Sequence, residues 1–397
     1  MPPLLSIDEA LALVLEHARP LDAEVVRIQE AARRVLAEDV HSPVDLPPFR
    51  SSAMDGFAVR VADTPARLAV VARIPAGHPS SRALAAGEAM GVATGGSVPE
   101  GADAVVPIEH VDDVGDSVFV RGAVGVLDNI RPVGSDIRAG DLLLSAGVLL
   151  GPAGIGALAA VGVAAVRCGR RPRVSILSTG SELRPPGEPL GPGQIYESNA
   201  AMLTAALESA GAEVARLEQV DDEPNAHRTA LEQGLEADVL VSSGGVSVGP
   251  HDLVRSIGAE LGVEEVFWGV SVKPGKPVAF GTRGSTLVFG LPGNPVSSLV
   301  AFELFVRPAV LALQGAASPG PVYAMGRLSR SVRANPARDQ LVRARSKLAE
   351  GETLLEPLSG QESHMIARAA AADTLVLVRR GERDPVVGDR LPFLRLG

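Results

Sequence analysis

The chain has 397 residues, long enough for several domains. A formal net charge of −10 and an aromatic content of 3% argue against a nucleic-acid partner, since basic footprints and base-stacking platforms both need other compositions. A single cysteine, Cys168, excludes an internal disulfide or a cysteine metal cluster. Arg170 and Arg171 lie close to it, yet packing is the expected role of this thiol.

The first segment, MPPLLSIDEALALVLEHARP, has no basic n-region and does not read as a signal peptide, so a cytoplasmic protein is expected. Ser6 and Glu9 form a capping box, and Leu11, Val14, Leu15 and Ala18 make one helical face. Residues 1–44 as a whole read as helical. The composition then shifts to Pro, Ser and Gly in 45-DLPPFRSSAMDGFAV-59, and short strands and turns are expected to about residue 140. Residues 142–166 carry no charge over a length that matches a bilayer, but glycines and Pro152 break the run. It is read as a strand, a turn and a short buried helix near 152–163, not as a membrane span.

From Arg173 the pattern becomes βαβα: strand 173–178, helix 199–210, strand 213–219, helix 224–236 and strand 239–243. Two glycine-rich loops follow strands in this region. In 238-DVLVSSGGVSVGPHDL-253 an apolar strand enters Ser242, Ser243, Gly244 and Gly245, and a helix is expected to start near Asp252. In 286-TLVFGLPGNPVSSLVAFELF-305 another strand enters Pro292, Gly293 and Asn294, with Pro295 at a first helical position. Such strand–turn–helix junctions form cradles of backbone N–H groups for anions, and Ser242, Ser243 and Ser247 add hydroxyl donors. Neither loop is a Walker A or a dinucleotide fingerprint; alone, each is equally an ordinary turn.

Charge use adds a third loop. Of 37 basic residues only Lys273, Lys276 and Lys347 are lysines, and two of them sit in 272-VKPGKPVAFG-281. An ammonium is a compact point charge, suited to a small oxyanion in a tight pocket. Pro274 and Pro277 stiffen the backbone that carries it. Three such loops within about seventy residues suit the carboxyl edge of an α/β sheet. After a linker, 315-GAASPGP-321, the tail is β-rich.

SSGGVSVG, KPGKP and GLPGNPVS, in this order and spacing, resemble the molybdopterin molybdenumtransferases, the family that includes the E domain of gephyrin. So do 51-SSAMDGFAV-59, 94-TGGSVPEGADAVVP-107, 178-STGSEL-183, 194-QIYESN-199 and 359-SGQESH-364, so the likeness spans nearly the whole chain. The resemblance implies a multidomain α/β enzyme. Its expected parts are a discontinuous N-terminal helical domain (1–44 with 141–170), a β-rich domain (45–140), a central three-layer α/β domain with a parallel-rich sheet (171–316) and a C-terminal β-barrel-like domain (317–397). It further implies insertion of molybdate into adenylylated molybdopterin with release of AMP, dependence on Mg²⁺, a homodimer, and the molybdopterin adenylyltransferase as a possible partner protein. Membranes and nucleic acids are not expected partners. The rival readings are the adenylyltransferase itself, whose single domain resembles 173–315, and a non-catalytic scaffold on the same fold.

Residue by residue, the resemblance places Lys273, Lys276 and Ser363 at molybdate, with Arg343 favoured over Arg338 as the arginine beside them. It places Asp55, Glu182, Asp222 and Asp252 at the pterin and nucleotide site, Asp222 and Asp252 nearest Mg²⁺. Thr94, Ser242, Gly244, Gly245, Ser247, Pro292, Gly293, Asn294 and Pro295 are expected to contact substrate. Asp55 is otherwise an Asp-Gly turn residue, and Asp252 a helix N-cap. Against the family pattern, Ser181 stands where Asp is frequent, Glu362 where Gly is usual, and Gly269 where some relatives carry Lys.

Overall fold

A computed structural model describes residues 4–396 except 222, 246–252, 350 and 382. Three sheets of six strands and several two-stranded ribbons organise the chain.

The central sheet has the strand order Glu213–Val220, Arg173–Thr179, Val239–Ser243, Thr286–Leu291, Ala279–Arg283, Glu264–Trp268. The first four strands are parallel; Ala279–Arg283 runs opposite to them, and Glu264–Trp268, antiparallel to Ala279–Arg283, runs with them again. Both faces are covered, which is why Val239–Ser243 is buried at every position. Alternation decides which residue meets which layer. Val239 and Val241 face a core with Leu203 and Leu207 of the helix Asn199–Ser209. Leu240 faces Leu231 and Val254 on the opposite side.

The apolar run Pro295–Leu313 is long enough to cross a membrane, yet 83% of its most apolar window is buried inside the fold. Its residues are the centre of the largest core cluster, and hydropathy here reports a core helix. The run contains a π-helical turn, Phe302–Val306, in which Glu303 pairs with Arg307.

The N-terminal stretch is less helical than its composition suggests. Among its described residues only Ile7–His17 is an α-helix, with both bonds of the Ser6–Glu9 capping box formed. Its buried face (Ile7, Ala10, Val14) packs into the α/β core. Ala23–Arg27 is a strand paired with Ala165–Gly169, and Val40–His41 pairs with Leu142–Leu144. Around these ribbons Val26, Ile28, Leu36, Leu150, Leu158, Val166 and Cys168 form a separate small core. Burial pushes the Cys168 thiol pKa up, which agrees with a packing role. The helix Pro152–Ala160 buries only Leu158, so the expectation of a buried helix is corrected: its Ala and Gly positions lie mostly towards solvent.

Residues 51–131 carry a mixed sheet ordered Ala104–Pro107, Gly56–Val59, Glu88–Val92, Arg67–Ile74, Ser117–Val120, Val111–Asp113. At the C-terminal end, Tyr323–Leu328, Asp339–Ala349, Glu352–Pro357, Thr374–Val378 and Arg390–Arg395 close on themselves, because Asp339–Ala349 pairs with both Glu352–Pro357 and Thr374–Val378. This is a closed five-stranded barrel, and Val272–Lys273 adds to it as a parallel strand beside Asp339–Gln340.

Candidate active site

Because four neighbouring strands run parallel, Thr179, Val220, Ser243 and Leu291 all end on one edge of the central sheet. The segments that follow them, with Glu182, Asp221, Gly244 and Pro292, therefore leave the fold side by side. The KPGKP loop joins them at the start of the one opposed strand, since Ala279 pairs with Gly290 at the same end.

The loops are knitted together by specific bonds. The Gly244 N–H donates to the Leu291 carbonyl at 3.1 Å. Gly244 has φ +92°, and a Cβ there would lie 2.8 Å from Thr179 Oγ1 and 2.9 Å from its carbonyl oxygen, so only glycine fits. Asn199 Nδ2 donates to Ser243 Oγ and to the Gly293 carbonyl, both at 2.7 Å, and so ties the first glycine loop to the second. A Cβ on Gly275 would lie 3.5 Å from the Ser297 carbonyl, which sets the KPGKP loop against the helix Pro295–Ala301.

The barrel supplies the remaining wall. The Val296 N–H, in the first turn of that helix, donates to the Ser363 carbonyl at 3.1 Å. Ser363 and Pro292–Pro295 are therefore neighbours despite their distance in sequence. A cleft of about 530 Å³ lies between Lys273 and barrel residues that include Arg333, Asn335, Gln340 and Gln361. Among the described residues neither Lys273 nor Lys276 has a carboxylate within 4.0 Å, whereas Lys347 pairs with Glu356 at 2.7 Å. Among the described residues the two loop lysines leave their charge at the sheet edge uncompensated.

Arg343 behaves differently from the expectation. It is 2% exposed, and its guanidinium donates to the carbonyls of Met365 (2.9 Å), Gly360 (2.7 Å) and Glu362 (3.1 Å) and to Gln361 Oε1 (3.5 Å). Its burial lowers the guanidinium pKa. A guanidinium has five N–H donors, and most are spent on the loop that carries Ser363. Arg343 holds that loop rather than facing an oxyanion. Arg338 is half-buried, with no side-chain partner among the described residues. Glu362 is exposed, and its carbonyl is what meets Arg343.

The hydroxyls also separate by face. Ser242 Oγ donates weakly to the Phe289 carbonyl at 3.4 Å, within the sheet. Ser243, one residue on, meets Asn199 on the opposite face, so Ser243 rather than Ser242 stands at the junction of the two loops. Glu197 is 7% exposed; its carboxylate accepts from Ala200 N–H at 2.9 Å and Ser178 Oγ at 3.2 Å. Sequence reasoning assigned no role to Glu197 or Asn199, although 194-QIYESN-199 was a usable signal.

Glu182 is exposed and folds back over the turn, its Oε2 2.5 Å from where a Cβ on Gly180 would stand. It has no ion-pair partner among the described residues. Asp222, Asp252 and Ser247 lie outside the described residues. No group of three or more His, Cys, Asp or Glu side chains suited to a metal occurs among the described residues. Glu182, on the same sheet edge and without an ion pair among the described residues, is one carboxylate of the kind Mg²⁺ takes, with phosphate oxygens and water completing its shell.

Asp55 and Thr94 are brought together elsewhere. The Thr94 N–H donates to Asp55 Oδ1 at 2.8 Å, and this bond lies at the surface. Gly56 is required behind them, since a Cβ would lie 2.0 Å from the Val106 carbonyl oxygen. Among the described residues, the hydrogen bonds and ion pairs of residues 48–131 close within that segment.

A second cleft, about 460 Å³ beneath the helix Leu253–Glu260, is mainly apolar; its charged lining residues are Arg255 and Glu265, which pair with each other. It offers no chemistry comparable to the sheet edge.

An α/β unit with glycine loops converging on one sheet edge, walled by a β-barrel and preceded by a separate β-rich unit, defines a multidomain α/β architecture with one candidate site. Residues 5–162 match the family model "MoeA N-terminal region (domain I and II)", 175–312 "Probable molybdopterin binding domain" and 325–396 "MoeA C-terminal region (domain IV)". The chain belongs to the MoeA family. It is 38% identical over 317 residues to the molybdopterin molybdenumtransferase of Haemophilus influenzae, covering 79% of this chain and 78% of the relative. To the Bacillus subtilis molybdopterin molybdenumtransferase it is 34% identical over 390 residues, covering 95% and 90%. A crystal structure of the molybdopterin biosynthesis moeA protein of Pyrococcus horikoshii OT3 superimposes with a TM-score of 0.85 at 28% identity, covering 99% of this chain and all of that one.

Proposed function

We propose that the chain is a molybdopterin molybdenumtransferase, acting in the cytoplasm in molybdenum cofactor biosynthesis. Its substrates in this reading are adenylylated molybdopterin and molybdate, and AMP is released as the metal is placed on the dithiolene sulfurs. The observation that carries the reading is the convergence, at one sheet edge, of two glycine loops, two lysines without a carboxylate partner among the described residues, and the Ser363 loop.

In this reading the glycine loops meet the phosphates through backbone N–H groups other than those of Gly244 and Val296, which are spent on Leu291 and Ser363, and this costs no desolvated side-chain charge. Lys273 and Lys276 draw the dianionic molybdate to the edge and hold it as point charges. Ser363 closes over it from the barrel, positioned by Arg343. Glu182, with Asp222 and Asp252 by resemblance, would hold Mg²⁺. When bound, that ion neutralises charge on the phosphate oxygens during anhydride cleavage.

The surface Asp55–Thr94 pair has no bond to the loops of its own chain among the described residues. A homodimer in which this pair faces the partner's sheet edge gives it a substrate to meet and produces two equivalent sites. Mixing an Asp55→Asn chain with a Glu182→Gln chain tests this. Shared sites return about half of wild-type activity per mixed dimer, and no recovery in verified heterodimers refutes sharing. The molybdopterin adenylyltransferase fits as the protein that hands over the substrate.

The test of the reaction is incubation with adenylylated molybdopterin, Mg²⁺ and either molybdate or tungstate, following AMP release. Absence of oxyanion-dependent AMP release would sink the reading.

A further inference from the structure

The Asn199 side chain spans the gap between two loops that meet nowhere else through a side chain described above. Its orientation is fixed by chemistry. The Gly293 carbonyl can only accept, so the atom 2.7 Å from it must be Nδ2, and a flipped carboxamide would set two oxygens against each other. The other Nδ2 hydrogen goes to Ser243 Oγ. Ser243 is thereby an acceptor towards Asn199, and its own O–H remains available to donate.

Among the described residues this arrangement leaves Asn199 Oδ1 buried without a partner, in a residue only 8% exposed. Folds rarely leave a buried acceptor unsatisfied, and where they do the position tends to serve the site rather than stability. The helix Asn199–Ser209 is anchored by Glu197 at its first turn, so the carboxamide projects from a fixed base.

We propose that Asn199 is a positioning residue of this site: it sets the spacing of the two glycine loops and orients the Ser243 hydroxyl as a donor towards substrate anionic groups. The inference rests on the functional reading above only in its second half; the loop spacing belongs to the free protein.

Asn199→Asp is nearly isosteric and separates this role from simple packing. In that variant an ionised carboxylate would present oxygen to the Gly293 carbonyl and push the loops apart. A protonated carboxyl donates a hydrogen bond to the same carbonyl and restores the tie. Burial and the facing carbonyl both raise the pKa of an introduced carboxyl, which brings its titration towards the assay range. The expected result is a KM for adenylylated molybdopterin raised by about tenfold at pH 8, recovering towards wild type as pH falls, with kcat changed less. Asn199→Ala should raise KM at every pH. Without any substrate, hydrogen exchange at peptides covering 239–245 should be faster in Asn199→Asp at pH 8 than in wild type after correction for intrinsic rates. Wild-type KM and exchange in a folded Asn199→Asp protein would overturn the proposal. So would a pH-independent KM defect in that variant, which marks a packing role. If wild-type protein releases no AMP, the functional reading fails, while the exchange comparison still decides the loop tie.

Discussion

Arg343 and Gln361 hold each other from both ends. The Arg343 N–H donates to Gln361 Oε1 at 3.0 Å, Gln361 Nε2 donates back to the Arg343 carbonyl at 3.0 Å, and Arg343 Nε reaches the same Oε1 at 3.5 Å. With the guanidinium's bonds to three carbonyls, this makes residues 360–365 a loop wrapped around one buried cation. Arg343→Lys keeps the charge but loses the planar fork. The expected cost is roughly 2–4 kcal/mol of stability, from buried carbonyls left unpaired. As the Ser363 loop loosens, the KM for molybdate should rise. Urea unfolding and a molybdate titration check the two effects, and an unchanged midpoint would contradict the assignment.

Lys276→Ala removes one of the two loop charges that no carboxylate compensates among the described residues. A lost charge-assisted contact of about 2–3 kcal/mol raises the KM for molybdate about 30- to 150-fold. Lys347→Ala, which removes a cation already paired with Glu356, should leave that KM unchanged. Steady-state AMP release against molybdate concentration measures both, and equal behaviour of the two variants would speak against a local anion site.

Asp238 ties the start of two central strands to the preceding unit. It accepts from Arg170 Nη1 and Nη2 at 2.8 and 2.9 Å and from the Arg173 N–H at 2.7 Å. Burial pushes its pKa up, but the Arg170 hydrogen bonds and the Arg173 N–H outweigh this, and the net shift is downward. A lowered folded-state pKa means stability that is present above the ordinary Asp range. It is lost as pH falls from about 4 through the folded value. Asp238→Asn should therefore cost on the order of 1 kcal/mol at pH 7, allowing for the solvent-screened side of the pair. The gap to wild type should narrow in acid, as measured by denaturant unfolding at several pH values. A gap that widens in acid would refute the sign.

Asp339 docks the barrel onto the α/β unit. It is 3% exposed, accepts from Arg379 Nη1 at 3.1 Å and the Arg380 N–H at 2.8 Å, and its own N–H donates to the Ser271 carbonyl at 3.0 Å. Arg379 also reaches Asp8 at 3.4 Å, and Arg380 reaches Ser271 Oγ at 2.7 Å. Asp339→Ala strands these donors at the junction. Calorimetry should then resolve two unfolding transitions, or one broadened transition at lower temperature, in place of a cooperative one. A single transition at the wild-type temperature would show that the junction is held by other contacts.

The central unit was legible because its signals are local. The strand expected at 239–243 is Val239–Ser243, and the helix expected at 199–210 is Asn199–Ser209. Once parallel strands are granted, the convergence of the loops after Thr179, Ser243 and Leu291 follows from topology alone. The N-terminal stretch misled because Ala, Glu and Arg suggest a helix, whereas Val25 and Val26 pair with Arg167 and Val166 far along the chain. Arg343 misled for a related reason. The resemblance places it at molybdate, whereas its acceptors in the structure come from a loop 17 to 22 residues later that no local pattern announces.

Closure of the C-terminal strands into a ring has a consequence for how this chain tolerates shortening. Arg390–Arg395 is the staple that joins Tyr323–Leu328 to Thr374–Val378. Ending the chain at Pro385 would leave both of those strands with an open row of N–H and C=O groups, along with a bared Leu328, Val376 and Val378. Such edges recruit other chains. A nick or premature stop there should make the protein aggregate before it touches a single residue of the sheet edge.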